Sequence, residues 1–217
     1  MTTDSVLLGA WAAIESAGLI LDIGTGTGLL ALMAAQRSGA RIMAIEPDRN
    51  SFMQAGVNFA ASPWHERITL LNTSVQDYRP VGGMLFDAII TNPPYFVDSL
   101  INSSESKART RHTISMTYTD LLEAVARLLT DAGALHLVLP VKEGRSFAEI
   151  AGDYNLHCMR RMVVRPTPEL PPVRVLMSLQ RGPAKSCDES VLVIEKKGRH
   201  IYSDEYVSLT KDFYLKF

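Results

Sequence analysis

Short apolar runs alternate with helix-compatible stretches along the first two thirds of the chain. Leu19–Ile23 is an apolar run that reads as a strand. Leu29–Arg37, rich in good helix formers, follows a cluster of glycines and is stopped by Ser38-Gly39. Ala40–Ile45 reads as a second strand, Arg49–Ala61 as a helix closed by Ser62-Pro63, and Arg67–Leu71 as a third strand. Asp87–Thr91 is a fourth. Tyr118–Leu129 places Leu121, Leu122, Val125, Leu128 and Leu129 on one helical face and ends at Asp131-Ala132-Gly133. Ala134–Leu139 is a fifth strand. Strands that are apolar almost throughout, separated by helices, imply a parallel sheet covered on both faces. The last third differs. His157–Val164 and Val173–Leu179 read as strands joined by the proline-rich turn Pro166–Pro172, and Val191–Ile194 follows a polar loop. The expectation is an α/β fold with a mostly parallel seven-stranded sheet, an antiparallel C-terminal edge and helices on both faces. The aromatic tail Tyr206–Phe217 is expected to dock as a terminal helix. No internal repeat or long linker divides the chain, so residues 1–217 are read as a single domain.

Composition narrows the choices. With 217 residues, 47% hydrophobic and 21% charged, the chain is an ordinary globular sequence with room for one sizeable core. A net charge of −1 and a pI near 6.5 mean that a nucleic-acid partner would need a local basic patch. The two cysteines, Cys158 and Cys187, form no CxxC pair. They suggest neither a metal site nor a disulfide framework, which fits a cytoplasmic protein. No signal peptide is expected, and no apolar run reaches the ~18 residues of a membrane span.

Two motifs carry chemistry. Asn92-Pro93-Pro94-Tyr95 follows the fourth strand. The prolines fix φ and remove backbone donors, which frees nearby carbonyls to accept from elsewhere. Such a corner can present an amide oxygen, a carbonyl and a ring face to one planar amino group. Alone, it could equally be a Pro-Pro loop with a surface tyrosine. Upstream lies Gly24-Thr25-Gly26-Thr27-Gly28, between a strand and a helix and preceded by Asp22. The spacing is neither the dinucleotide fingerprint nor a P-loop, and no lysine follows it. An acid beside small residues suits a ligand bearing an ammonium, as the methionyl part of S-adenosyl-L-methionine does. Glu46 ends the second strand roughly 20 residues on, where an acid commonly bonds a ribose diol. The bland alternative is a tight turn with acids facing solvent.

In an open parallel sheet, ligands sit beyond the carboxyl ends of the strands. The glycine loop follows the first strand, Glu46 ends the second, Gln76-Asp77 follow the third and Asn92 follows the fourth. All four features are therefore expected on one rim.

With these motifs, the chain resembles the N6-adenine and glutamine-amide branch of the Rossmann-like class I S-adenosylmethionine-dependent methyltransferases. More narrowly it is similar to the bacterial tRNA(Val) adenine-37 N6-methyltransferases. That likeness includes Thr3-Asp4 through Leu7-Leu8-Gly9-Ala10-Trp11, Ser62-Pro63-Trp64, Tyr202–Tyr206 and Phe213-Tyr214-Leu215. The resemblance implies N6-methylation of adenine in RNA, with S-adenosyl-L-methionine as cofactor, tRNA as partner and no metal. It implies catalytic roles for Asn92, Pro93 and Tyr95. It implies cofactor contacts at Thr3, Asp22, Gly24, Gly26, Gly28, Glu46, Gln76, Asp77 and Asn92. The family often has an acid where this chain has Ser74.

Lys107, Arg109, Arg111 and His112 form a basic cluster just after the motif, readable as an RNA contact or as a solvated loop. Arg160-Arg161 and Arg165 form a second cluster that alternation along a strand explains as well. His65, His136, His157 and His200 read as structural, and Trp11 and Trp64 as packing residues. Family members usually carry an additional N-terminal segment, often basic, which this chain is expected to lack. Two other functions share the motifs: a glutamine-amide methyltransferase acting on a release factor, and a non-catalytic cofactor- or RNA-binding protein. The first usually has a separate N-terminal helical domain.

Overall fold

The computed structural model describes residues 2–94, 116–183 and 186–215. Among these, six α-helices surround an eight-stranded sheet. The helices are α1 (Thr3–Trp11), α2 (Leu29–Arg37), α3 (Arg49–Ala60), α4 (Tyr118–Leu128), α5 (Val141–Gly152) and α6 (Asp204–Thr210). The strands are β1 (Leu19–Ile23), β2 (Arg41–Ile45), β3 (Ile68–Leu71), β4 (Phe86–Thr91), β5 (Leu129–Pro140), β6 (Leu156–Arg165), β7 (Arg174–Arg181) and β8 (Asp188–Val193).

Their order across the sheet is β3-β2-β1-β4-β5-β7-β6-β8. β7 runs antiparallel to both β5 and β6, and every other pairing is parallel. The antiparallel part thus lies on the C-terminal side, as expected. The count of seven strands is corrected to eight. The added strand, β8, begins Asp188-Glu189-Ser190 and is mostly exposed. An edge strand with one wet side needs no long apolar run: Val191-Leu192-Val193 forms its second half, and pairing with β6 identifies the polar first half.

Side-chain alternation splits the core into two layers. Leu21, Ile23, Ile89, Leu135 and Leu137 meet α4 and α5 on one face. Ile20, Ile42, Ala88, Ile90 and Val138 meet α1, α2 and α3 on the other. Helix α4 buries Leu121, Leu122, Val125 and Leu128, each worth about 1.5–3 kcal/mol relative to exposure. A capping box starts it: Asp120 N–H donates to Thr117 Oγ1, and Thr117 N–H donates to the Asp120 carboxylate.

Asp131-Ala132-Gly133 does not form a loop after this helix. It lies within β5, where the pairing jumps from Phe86↔Leu129 to Ala88↔Ala134. The expected terminal helix is α6 followed by a 3-10 turn, Lys211–Phe213. Helix α1 is not marked by the pattern of apolar positions along the chain. It is capped by Thr2, whose side chain accepts from Ser5 N–H, and it buries Val6 through Trp11.

Candidate active site

The sheet's C-terminal rim assembles the site. β1 and β4 are adjacent parallel strands with Asp22 opposite Ile90, so the loop starting at Gly24 and the corner starting at Asn92 leave the sheet side by side. The buried Thr91 hydroxyl joins them, donating to the Ile23 carbonyl at 2.9 Å. Gly24 of the glycine loop and Pro94 of the proline corner both line one cleft.

The loop's shape follows from its residues. Gly24, Gly26 and Gly28 have φ of 66°, 58° and 91°, values that suit glycine. Gly24 and Thr25 N–H both donate to the Ile45 carbonyl. Open space lies where a Cβ would stand on Gly24 or Gly26, so a ligand can approach that backbone. Gly28 differs: a Cβ there would lie 2.4 Å from the Phe59 ring. It caps α2 and packs against α3, and its open direction is filled by protein. Asn58 adds a clamp, its Nδ2 donating to the Thr27 carbonyl at 2.8 Å.

Asp22 lies beneath the loop and is 0% exposed. Its Oδ2 accepts from Thr25 Oγ1 at 2.5 Å and from Ala31 N–H at 3.0 Å. Its Oδ1 is buried without a hydrogen-bond partner. Burial pushes the carboxyl up to about 7; the two hydrogen bonds pull it down, and nearby Glu46 adds to the rise.

Glu46 is nearly buried and holds the loop from β2. Its Oε2 accepts from Gly26 N–H at 2.8 Å and its Oε1 from Asp48 N–H at 2.9 Å. Each oxygen keeps a further lone pair. Asn72 Nδ2 secures the end of this strand by donating to the Glu46 carbonyl at 2.7 Å.

A cleft of about 160 Å³ opens between these elements. Gly24, Glu46, Val75, Gln76, Pro94 and Met116 are among its walls, with Ile23, Ile45 and Pro47 adding apolar surface. Gln76 is steadied by α4, its Nε2 donating to Asp120 Oδ2 at 3.1 Å. Asp77 is exposed and stands outside the lining; its carboxylate takes the Ser74 hydroxyl at 2.7 Å. Thr3 is the first residue of α1, exposed and likewise outside the lining.

Asn92 is half-buried at the corner, followed by buried Pro93 and exposed Pro94. Its Nδ2 donates to Ser5 Oγ at 2.9 Å, which leaves Oδ1 as the acceptor of the group. Ser5 Oγ also sits 3.1 Å from the Thr2 hydroxyl. Nearby, Asp4 pairs with Arg174 at 2.8 Å, holding the start of α1 against β7. Ser5 is 87 positions from Asn92, and no local pattern marks it. Tyr95, Lys107, Arg109, Arg111 and His112 lie outside the described residues.

The donor set fits an adenosine with a positively charged methionyl arm. A carboxylate with free lone pairs faces a cleft with apolar walls, an open glycine backbone adjoins it, and a carboxyl oxygen beneath the loop lacks a partner. Among the described residues, no group of three or more His, Cys, Asp or Glu side chains could hold a metal ion. No described helix is long and apolar enough to cross a membrane.

Residues 4–148 match the family model of the methyltransferase small domain. A tRNA1(Val) (adenine(37)-N6)-methyltransferase from Parabacteroides distasonis is 44% identical over 214 residues, covering 99% of this chain and 90% of the relative. One from Aeromonas hydrophila is 44% identical over 218 residues, covering 99% and 89%. Among solved structures, a predicted O-methyltransferase from Agrobacterium tumefaciens superposes with a TM-score of 0.77 at 19% identity, covering 96% of each chain. The glycopeptide N-methyltransferase MtfA, solved with S-adenosylmethionine, gives 0.59 at 10% identity, covering 82% of this chain and 95% of that one. These two likenesses establish the fold. The close relatives establish more: this chain belongs to the methyltransferases, within the family of tRNA1(Val) (adenine(37)-N6)-methyltransferases.

Proposed function

We propose that this protein transfers a methyl group from S-adenosyl-L-methionine to N6 of adenine 37 in a valine tRNA, in the cytoplasm. The observation that carries the reading is the Asn92 carboxamide, whose Nδ2 is spent on Ser5 and whose Oδ1 is left to accept. The relatives' names supply the substrate.

The exocyclic nitrogen of adenine is a weak nucleophile because its lone pair is delocalised into the ring. Two acceptors, Asn92 Oδ1 and the Pro93 carbonyl, would take its two N–H groups and favour a more tetrahedral nitrogen. Tyr95 would stack on the base, which must leave its helical stack to reach the site. Stacking of that kind is worth roughly 1–3 kcal/mol. Glu46 would accept from the ribose hydroxyls of the cofactor, while Gly24 and Gly26 give its methionyl arm close access to the backbone. Asp22 would bias that end of the cleft toward an ammonium. Gln76, Val75 and Ile45 would border the adenine. The cofactor, when bound, supplies an electrophilic methyl on a sulfonium. No strong general base is needed, since the methylated amine can lose its proton to water.

The test is methyl transfer from labelled S-adenosylmethionine onto total tRNA and, in parallel, onto a translation release factor. Nucleoside digestion of the tRNA should yield N6-methyladenosine, lost when adenine 37 is replaced. Label on the release factor alone would replace the reading with glutamine-amide chemistry. Cofactor binding with no transfer to either would make the protein a non-catalytic binder.

A further inference from the structure

Cys158 and Cys187 stand 29 positions apart, yet the fold sets their sulfurs 3.0 Å from each other. That is about 1 Å beyond a disulfide bond. β6 and β8 pair in parallel with Arg160 opposite Asp188, so Cys187, just before β8, enters beside this part of β6. Against β7, Cys158 opposes Leu179 while Arg160 opposes the adjacent Ser178, making Met159 an extra residue. Such a bulge re-aims side chains. Neighbouring strands lie about 4.8 Å apart, inside the Cα separations that a disulfide spans. Both cysteines are free and half-buried, within reach of a small oxidant.

The geometry points to a redox modification site: Cys158 and Cys187 form an intramolecular disulfide on exposure to a peroxide. This inference does not depend on the methyl-transfer reading. Cys158 S–H points toward the Arg160 carbonyl at 3.5 Å, which turns a sulfur lone pair toward its partner. Burial pushes the Cys158 thiol up to about 12, with the hydrogen bond to Cys187 adding to the rise.

With Cys187 reacting first, its thiol gives up its proton and the sulfur attacks one peroxide oxygen; the O–O bond breaks, a sulfenic acid forms, and the other oxygen leaves as hydroxide, which takes up that proton as water. Cys158 sulfur then attacks the sulfenic sulfur. The S–S bond forms, the S–O bond breaks, and the Cys158 proton departs with the hydroxyl as a second water. Two thiols and one hydrogen peroxide give one disulfide and two waters, the sulfurs losing two electrons to the peroxide. The product staples the edge strand β8 to β6.

The full-length reduced protein is titrated with hydrogen peroxide, quenched with an alkylating agent, and read by intact mass, non-reducing electrophoresis and peptide mapping. The expected product is a monomer two hydrogens lighter, with no alkylatable thiol and a Cys158–Cys187 cross-linked peptide. Its Tm should rise by about 4–16 °C and return on treatment with dithiothreitol. Cys158→Ser and Cys187→Ser should each abolish the cross-link. The wild type alone is decisive if a variant fails to fold, because the chain has only 2 cysteines. Persistent free thiols, sulfinic acid, intermolecular dimers, or a cross-link that lowers Tm would overturn the inference.

Discussion

Ser5→Ala isolates the positioning of Asn92 from the rest of the site. The substitution removes the hydroxyl that accepts from Asn92 Nδ2 at 2.9 Å and leaves the carboxamide free to rotate about its terminal torsion. A neutral hydrogen bond of this kind contributes a net ~0.5–1.5 kcal/mol. If that energy is spent on holding Oδ1 toward the substrate amine, the chemical step slows roughly 2- to 13-fold, at 1.36 kcal/mol per tenfold. Helix α1 should survive. Thr2 still caps it through the Ser5 backbone N–H, and alanine is the better helix former. Cofactor affinity should hold, since Ser5 is not among the residues lining the cleft.

Single-turnover transfer of labelled methyl to tRNA measures the step directly. Calorimetry with S-adenosylhomocysteine and thermal melting provide the controls. Ser5→Thr keeps a hydroxyl and should recover most of the rate. In an Asn92→Ala background, Ser5→Ala should add nothing further. A full rate in Ser5→Ala refutes the reasoning. So does a loss matched by an equal fall in cofactor affinity or in Tm.

Asn92→Ala should cut the single-turnover rate by about 10²–10³, the scale of losing a preorganised polar contact to the reacting group, with cofactor affinity nearly unchanged; Asn92→Asp keeps an acceptor and should retain partial activity. Asp22 gives a pH signature. Burial pushes its carboxyl up from the usual 3.8 to about 7 in the folded state, so the folded state holds the extra proton between those limits. Its contribution to stability is therefore greatest below about 4, declines as pH rises to about 7 and is flat above that. Urea titrations of wild type and Asp22→Asn across pH 4–8 should show a downward slope in the wild type that the variant lacks; equal slopes would place the ionisation elsewhere. Gly28→Ala must fit a Cβ at 2.4 Å from Phe59 at a φ of 91°, and should destabilise by about 2–4 kcal/mol in urea unfolding. Gly24→Ala meets nothing within 4 Å, so its stability loss should be confined to the smaller backbone term, with cofactor affinity falling more.

The sequence by itself determined most of the parallel sheet and the composition of its rim. Buried strands such as Leu19–Ile23 are apolar because both faces of the sheet are covered, so they stand out along the chain. The glycine loop, Glu46 and Asn92 are legible for a related reason. Each sits at or just past a strand end, the position that places it on the rim of a parallel sheet. Tertiary structure decided what depends on distant partners. The first half of the edge strand β8, Asp188-Glu189-Ser190, is polar and is recognisable only beside β6. Ser5 reaches Asn92, Cys158 reaches Cys187, and Gly28 meets Phe59, each across a span that no periodicity encodes. Asp22, Gly28 and Asp77 show the same division. Their spacing places them near the cleft, but only packing turns Asp22 under the loop, Gly28 onto α3 and Asp77 toward Ser74. Spacing along a chain sets which residues can share a rim, while the direction of each side chain is settled by whatever fills the space around it.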